Sequence, residues 1–409
     1  MARGDEYPAS SSEARGSVWE VFGAALVLGL TSFGGPIAHL GYFQREYVAR
    51  RRWLSDSTYA DLVALAQFLP GPASSQVGIG IGLLRAGYRG AVAAWLGFTL
   101  PSAIVLTAFA YVAASVDVAS AGWVHGLKLA AVAVVAAAVL SMWRSLSPDM
   151  ARTALALAAA ATILLVGGAT FQLVVIVFGG LIGWRFLRGV PAPTADEAPS
   201  PVSRRAGVAA LVVFFALLVG LPVAVALTRL DWVAVVESFY RAGSLVFGGG
   251  HVVLPLLSES VVTPGWVTSD QFLVGYGAAQ AVPGPLFTFA AFLGASLRVE
   301  PNGVPGAVVA TLAIFLPSAL LVIGAFPFWH GLRRSPSFRA ALAGTNAAVV
   351  GLLLAALYDP VWTSSVTNLV DVALVVLALV ALAVWNAAPW LVVLLLAIGA
   401  QVAQSAGLV

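Results

Sequence analysis

Residues Ala64–Leu84 read ALAQFLPGPASSQVGIGIGLL, an apolar stretch interrupted near its centre by Pro70-Gly71-Pro72. Proline lacks the backbone N–H that a helix needs and clashes with the preceding turn, so two prolines around a glycine stop a helix. Broken backbone is tolerated inside a membrane only where protein or a water-filled cavity satisfies its polar groups. The stretch therefore predicts a discontinuous membrane helix at a functional site.

The composition of the whole chain supports a membrane location. The sequence is 60% hydrophobic and only 10% charged, and its mean hydropathy is +0.95, whereas soluble domains are about 25% charged. The apolar segments are about 20 residues long, as membrane helices require and barrel strands do not. No cysteine is present, which excludes disulfides and thiolate metal sites. We predict an all-α integral membrane protein with no cofactor, no metal and no nucleic-acid partner.

Polar and proline-rich segments divide the chain. Residues 1–16 form a polar N-terminal tail that lacks the basic start and apolar middle of a signal peptide. Four prolines among small and acidic residues mark a linker at 189–205. We therefore predict a first half at 17–188, a cytoplasmic linker at 189–205 and a second half at 206–409. About 13 apolar segments result, four of them interrupted.

The two halves repeat the same short motifs in the same order. Pro70-Gly71-Pro72 returns as Pro283-Gly284-Pro285, 213 residues later. Phe33-Gly34-Gly35 returns as Phe247-Gly248-Gly249, and Leu100-Pro101-Ser102-Ala103 as Leu316-Pro317-Ser318-Ala319. Because several motifs keep their order with only small changes of spacing, the sequence indicates an internal duplication.

Arginines predict that the halves are inverted. Arg85 and Arg89 precede the segment that begins at Gly90, whereas arginines follow its counterpart in the second half, at Arg333, Arg334 and Arg339. Since cytoplasmic loops are rich in Lys and Arg, equivalent helices should run in opposite directions. This predicts an inverted repeat, with the N-terminus and linker cytoplasmic and the C-terminus periplasmic or extracellular.

The positive-inside rule leaves two arrangements open for the broken segments. If residues 58–84 cross the membrane completely, Arg45 and the run Arg50–Arg52 lie outside, against the rule. If the interrupted segments of this half are re-entrant hairpins, all these arginines lie inside. We favour re-entrant or deeply broken helices.

Each break creates a helix N-terminus inside the membrane. Its free N–H groups and partial positive charge favour an anion without a buried formal charge. The alternative is that the breaks only allow helices to pack closely. For the two Phe-Gly-Gly breaks, we weigh close packing and anion binding equally. The predicted substrate-binding residues are Gly34, Gly35, Pro70, Gly71, Pro72, Ser74, Ser75, Gln76, Arg241, Gly248, Gly249, His251, Pro283, Gly284, Pro285 and Thr288.

Some of these side chains have specific expected roles. Ser74, Ser75, Gln76 and Thr288 should donate hydrogen bonds to an oxyanion, and Arg241 should supply a counter-charge. Candidates for proton coupling or gating are His39, Arg45, Glu46, Gln67 and Gln280, although a membrane histidine is more often a hydrogen-bonded packing residue. We expect Arg45 and Glu46 to form an interfacial pair, and Lys128, the only lysine, to extend to the membrane surface.

Motifs of hydrolases, P-loop proteins and metalloproteases are not found. The sequence therefore favours a carrier, channel or uniporter over an enzyme or a primary pump. A transporter for another solute and a non-transporting membrane scaffold remain alternatives.

Longer motifs resemble one family. Gly34-Gly35-Pro36-Ile37-Ala38-His39, Gln67-Phe68-Leu69-Pro70-Gly71-Pro72 and Ser244-Leu245-Val246-Phe247-Gly248-Gly249-Gly250-His251 are similar to motifs of the long-chain chromate ion transporter family, over nearly the whole chain. The resemblance implies a bacterial inner-membrane secondary transporter that exports chromate and confers chromate resistance. It also implies sulfate as a related oxyanion and coupling to protons or a counter-anion. A homodimer is a candidate assembly.

Overall fold

The structure, a computed structural model, describes residues 16–33, 35–115, 122–166, 169–187, 200–247 and 250–405. Over these ranges the chain is helical and contains no strand. The helices of the first half are α1 Val18–Thr31, α2 Gly35–Phe43, α3 Asp56–Phe68, α4 Ala73–Ser115, α5 Gly122–Leu146, α6 Met150–Val166 and α7 Ala169–Phe186. After α8, Arg204–Thr228, come α9 Asp231–Leu245, α10 Val253–Leu257, α11 Ser269–Ala281, α12 Phe289–Ser296, α13 Gly303–Ala325, α14 Trp329–Arg334, α15 Pro336–Ala356, α16 Leu369–Ala383 and α17 Pro389–Ser405.

Five of the described helical stretches are long and apolar enough to cross a membrane: Ala73–Ser115, Gly122–Leu146, Arg204–Thr228, Gly303–Phe328 and Pro336–Trp362. The prediction of an all-α membrane protein is thus confirmed. Many of the remaining helices are apolar but shorter. At 1.5 Å per residue, the 14 residues of α1 extend about 21 Å, short of the roughly 30 Å hydrocarbon layer.

The short helices of the first half form two hairpins that share one end. A π-helical turn, Gln44–Arg50, continues α2 and leads to Arg51. Arg51 lies 3.9 Å from a carboxylate oxygen of Glu20 at the start of α1, and Arg85 lies 3.6 Å from the other oxygen. Helices α1 and α2 therefore leave this end and return to it, and α3 with residues 73–85 of α4 do the same.

Helix α4 is itself two helices joined by a sharp turn. Ala86 and Gly87 are non-helical, and Gly87 has φ 64°, a conformation that glycine adopts without strain. The chain folds back here, so that Gly82 packs directly on the backbone of Gly90. Any side chain at either glycine would collide with this backbone.

The second half repeats this packing with its own residues. Gly294 packs on the backbone of Gly306, as Gly82 does on that of Gly90. Gly243 of α9 lies against Ile314 of α13, as Gly29 of α1 lies against Phe98 of α4. Gly90 and Gly306, like Phe98 and Ile314, are 216 residues apart, the spacing of the repeated Leu-Pro-Ser-Ala motif. The packing therefore follows the sequence repeat.

The last helices of each half pack on the other half. Helix α5 packs on α17, and α15 packs on α7. Glycines allow both close approaches, at Gly126 against Leu396 and at Gly344 against Gly179. Because each half completes the core of the other, the two repeats form one interlocked bundle.

Candidate functional site

The first break lies between Phe68, the end of α3, and Ala73, the start of α4. Gly71 adopts φ 121°, which strains any residue other than glycine. Its N–H donates to the carbonyl oxygen of Val246 at 2.6 Å, and Val246 is the C-cap of α9 in the second half. A side chain at Gly71 would collide with the hydroxyl of Ser318. The first break is therefore docked against the second half.

The second break shows the reciprocal contacts. Helix α11 ends at Ala281, and Gly284 adopts φ 104°. The N–H of Gly284 donates to the carbonyl oxygen of Ser32 at 2.9 Å, and Ser32 is the C-cap of α1. A Cβ atom on Gly284 would lie 2.8 Å from the Ser102 hydroxyl. Each Pro-Gly-Pro break thus contacts a helix end and a Pro-Ser pair of the opposite half.

Unpartnered polar atoms surround these contacts. Six buried side-chain atoms on the segments that meet here have no hydrogen-bond partner among the described residues: Ser32 Oγ, Ser75 Oγ, Gln76 Oε1, Thr99 Oγ1, Gln280 Nε2 and Ser318 Oγ. Leaving a buried polar atom unpaired costs about 1–3 kcal/mol, and such atoms are few in native proteins. Their concentration at the two breaks marks this region as the candidate binding site.

The two helix starts differ in their hydrogen bonding. After the first break, the amide of Gln76 makes the first bond of α4, to Pro72, so the amides of residues 73–75 precede the helical ladder. The Gln76 side chain holds the break by donating to the Pro70 carbonyl oxygen at 2.6 Å. Helix α4 therefore presents the open helix N-terminus that the sequence predicted.

After the second break, a 3₁₀ turn at Leu286–Thr288 comes before α12. The Thr288 hydroxyl donates to the Pro285 carbonyl oxygen at 2.7 Å, and the Thr288 amide donates to the same oxygen at 3.0 Å. The Thr288 hydroxyl, which we expected to donate to an oxyanion, therefore donates within the turn instead. Pro283 is half-buried, whereas Gly284 and Pro285 are buried.

The histidines form two separate links. His39 Nε2 lies 3.1 Å from the Ser32 carbonyl oxygen, and Nδ1 lies 3.3 Å from Ser74 Oγ. A neutral ring that donates from Nε2 and accepts at Nδ1 satisfies both contacts. In the second half, His251 Nδ1 lies 2.7 Å from the Tyr276 hydroxyl. His39 therefore connects the end of α1 to the segment after the first break, whereas His251 contacts the helix that precedes the second break.

Arg241 has a partner that sequence reasoning missed. Its Nε lies 2.7 Å from a carboxylate oxygen of Glu237, one turn earlier in α9. Opposite charges four residues apart on a helix face each other, so this spacing was a usable signal. Glu237 balances the charge of Arg241, which leaves no net positive charge on this helix face. Gln67 is exposed, whereas its repeat counterpart Gln280 is half-buried.

Two predicted side-chain arrangements are wrong. Glu46 pairs with Arg50 and Arg51, at 2.9 and 2.6 Å, and not with Arg45, which is exposed and lies over the ring of Tyr42. Adjacent residues on a helix point in different directions and cannot face each other. Lys128 does not simply extend to the surface, because it forms an ion pair with Asp270 at 2.6 Å.

The glycine breaks are described only in part. Gly34, Gly248 and Gly249 lie outside the described residues. Gly35 begins α2 with φ 78°, and the space where its Cβ would lie is open.

Comparisons with known proteins identify relatives over most of the chain. The chromate transporter family matches residues 19–184 and 233–401, one segment in each half. A chromate transport protein of Pseudomonas aeruginosa is 28% identical over 343 residues, 83% of this chain and 80% of that protein. One from Cupriavidus metallidurans is 28% identical over 368 residues, 88% of this chain and 85% of that protein. No solved structure matches. The chain belongs to the chromate transporter family and is a transporter, not an enzyme.

Proposed function

We propose that this protein is a secondary transporter that exports chromate, or a related divalent tetrahedral oxyanion, across the bacterial inner membrane and thereby confers chromate resistance. The observation that carries the proposal is the reciprocal docking of the two Pro-Gly-Pro breaks, through Gly71 to Val246 and Gly284 to Ser32. Each break belongs to one repeat and rests on the other. A substrate bound between them touches both repeats and responds to their relative movement.

The chemistry of the site suits an oxyanion. The hydroxyls of Ser32, Ser75, Thr99 and Ser318 and the Gln280 amide are buried donors that find no partner in the part of the chain that the structure describes. A tetrahedral oxyanion offers acceptors in several directions. Gln76 Oε1 can only accept, which suits a water molecule or the hydrogen of a protonated oxyanion. The amides at the start of α4 add the partial positive charge of a helix N-terminus. Neutral donors bind an anion without the cost of a permanently buried charge.

We also propose that the repeats are inverted, which supports alternating access. The second part of α4 and α13 are repeat equivalents. The Tyr111 hydroxyl, late in α4, lies 2.8 Å from where a Cβ of Gly303, the first residue of α13, would be. The rings of Trp95 and Phe315 lie 5.8 Å apart. As α4 advances, its contacts on α13 move towards the start of α13, so equivalent helices run antiparallel. Inverted repeats place substrate sites near the membrane midplane.

The arginine cluster supports the re-entrant arrangement. Arg51 and Arg85 both approach Glu20, so the ends of both first-half hairpins lie on one side of the molecule. With this side in the cytoplasm, the positive-inside rule is satisfied without exception for these residues.

Healing the first break tests the proposal. Replacing Pro70, Gly71 and Pro72 with alanine should extend α3 into α4 and remove the contacts with Val246 and Ser318. We expect the exchange of labelled for unlabelled chromate in proteoliposomes to fall at least tenfold. The matched control is Pro222→Ala, because Pro222 is an exposed proline inside the unbroken helix α8. Undiminished exchange in a folded triple variant would overturn the proposed site.

Competition experiments separate the candidate substrates. Sulfate has the shape and charge of chromate, so neutral donors alone discriminate weakly between them. Unlabelled chromate should inhibit labelled chromate exchange at lower concentration than sulfate does. If an unrelated organic anion competes best, the substrate assignment is wrong while the site remains.

A further inference from the structure

A second polar cluster lies at the start of α5, in contacts that the proposed anion site does not use. His125 Nε2 lies 2.7 Å from Asp371 Oδ1 on α16. The His125 side chain is 26% exposed, whereas that of Asp371 is 1% exposed. The second oxygen of Asp371 accepts from both the amide and the hydroxyl of Thr367, each at 2.8 Å. A nearly inaccessible carboxylate thus lies against a partly exposed histidine.

One turn further along α5, Lys128 pairs with Asp270 of α11 at 2.6 Å. Residues three apart lie on the same helix face, so the two acid–base pairs are neighbours. The first amides of α5 also bond across the repeats: Gly122 donates to Gln404 at 2.6 Å and Trp123 to Gln401 at 3.1 Å. Polar groups of the second half therefore hold the start of a first-half helix.

We propose that His125 and Asp371 form the proton-binding site that couples anion transport to a pH gradient. Protons enter and leave at His125, the exposed member, and Asp371 holds the ring and balances its charge. The coupling candidates predicted from the sequence lie elsewhere. His39 is buried between Ser32 and Ser74, and Glu46 forms ion pairs with two arginines. The His125 pair combines an imidazole ring, a fixed counter-charge and partial exposure of the ring.

The charged groups around His125 and Asp371 determine how a bound proton changes the net charge of the cluster. The groups that face α5 here are Asp371 from α16 and Asp270 from α11, the latter paired with Lys128. Helix α17 contributes the neutral side chains of Gln401 and Gln404. The π-helical turn Leu357–Trp362 carries Tyr358 and Asp359, and the first turn of α15 carries Arg339. With His125 neutral, the four charged or titratable groups of the two pairs sum to −1, and a bound proton brings them to zero. A neutral cluster moves through a low-dielectric region at lower cost.

The structure offers a path from this cluster to the anion site. Asp270 lies in the first turn of α11, and α11 ends at Ala281, directly before Pro283-Gly284-Pro285. Leu127 of α5 lies against the backbone of Gly277 in the same helix. Movement of α5 relative to α16 on proton binding would therefore shift α11 and the break at its end.

The inference rests on the proposed function, and two assays on one preparation keep their failures apart. Exchange of labelled for unlabelled chromate needs only the anion site. Accumulation driven by an imposed pH gradient needs coupling as well. For His125→Gln and Asp371→Asn, we expect exchange within about twofold of wild type and a loss of at least tenfold in pH-driven accumulation. The control Asp149→Asn removes an exposed ion pair with Arg152 outside this cluster and should retain pH-driven accumulation.

Each result has a defined consequence. Wild-type accumulation that does not respond to the pH gradient overturns the proton site and leaves the anion site intact, provided that exchange persists. Retained coupling in both His125→Gln and Asp371→Asn also overturns it. Loss of exchange in folded, monodisperse variants assigns the pair to anion movement itself and overturns the coupling role. Proton uptake by wild type but not by His125→Gln on chromate addition, followed with a pH indicator, provides independent support.

Discussion

At the scale of single residues, Trp53 organises the arginine-rich end of the molecule. The guanidinium carbons of Arg51 and Arg85 lie 5.1 and 5.3 Å from its ring centroid, and Tyr47 stacks on it. Glu46 and Glu20 balance the two arginines. A cation over an aromatic ring contributes about 0.5–1 kcal/mol at an exposed site. The cluster therefore joins the ends of both first-half hairpins to the start of α1.

Glu46 should make stability depend on acid pH. Burial opposes its ionisation, but hydrogen bonds from Arg51 and Arg50 outweigh burial and hold the pKa of Glu46 below its ordinary value. The folded protein binds this proton less tightly than the unfolded chain, so the stabilisation is complete above the ordinary pKa, about 4.3, and is lost as pH falls through the lower folded-state pKa.

We expect Glu46→Gln to lower the thermal unfolding temperature in detergent at pH 7, corresponding to about 1–3 kcal/mol for a charge-assisted hydrogen bond. The difference from wild type should shrink as the pH is lowered below 4. Glu259→Gln provides the control, because Glu259 is half-buried and its carboxylate accepts from the neutral Thr263. A difference that is constant with pH would contradict this role for Glu46.

At the scale of elements, glycine decides which helices can touch. A Cβ atom added to Gly29 of α1 would lie only 2.7 Å from the carbonyl oxygen of Gly97 in α4. Gly23 of the same helix has nothing within 4 Å of that position. The sequence does not distinguish the two glycines, because contact with Gly97, 68 positions further along the chain, leaves no local sequence pattern.

We therefore expect substitution by alanine to have opposite effects on stability at these two glycines. Gly29→Ala should destabilise the protein by about 1–3 kcal/mol, because it forces α1 away from backbone atoms that cannot yield. Gly23→Ala should leave stability unchanged or raise it by up to about 1 kcal/mol through better helix propensity. Thermal unfolding of the two purified variants measures the difference. Equal effects would contradict the close packing of α1 on α4.

At the scale of the whole molecule, the repeats are interlocked and not merely adjacent. Each break is held by the opposite half, and α5 and α15 pack on the final helices of the opposite repeat. Since the chain contains no cysteine, single introduced cysteines can report which side of the membrane each position faces.

Arg89→Cys and Val304→Cys test the inversion. Arg89 lies near the start of the second part of α4, and Val304 is 54% exposed at the start of α13. In oriented vesicles, we expect a membrane-impermeant thiol reagent to label Arg89→Cys only from the cytoplasmic side and Val304→Cys only from the opposite side. Labelling of both from one side would rule out inverted repeats.

The positions of the two breaks were visible in the sequence, whereas the contacts around them were not. The breaks at Gly71 and Gly284 followed from the prolines around them, and the repeat aligned them. The sequence did not reveal that Glu237 accompanies Arg241, that Thr288 bonds back to Pro285, or that Lys128 pairs with Asp270. The first two required attention to spacing and turn geometry, whereas the third joins residues 142 positions apart.

The sequence by itself determined the membrane class, the helical segments and the places where they break. These depend on local physics: apolar length, the missing N–H of proline and the free backbone of glycine. Only the tertiary structure decided that Gly71 meets Val246, that Gly284 meets Ser32 and that His125 meets Asp371. Such contacts join residues far apart in the chain, and their formation depends on how whole helices pack rather than on any local preference.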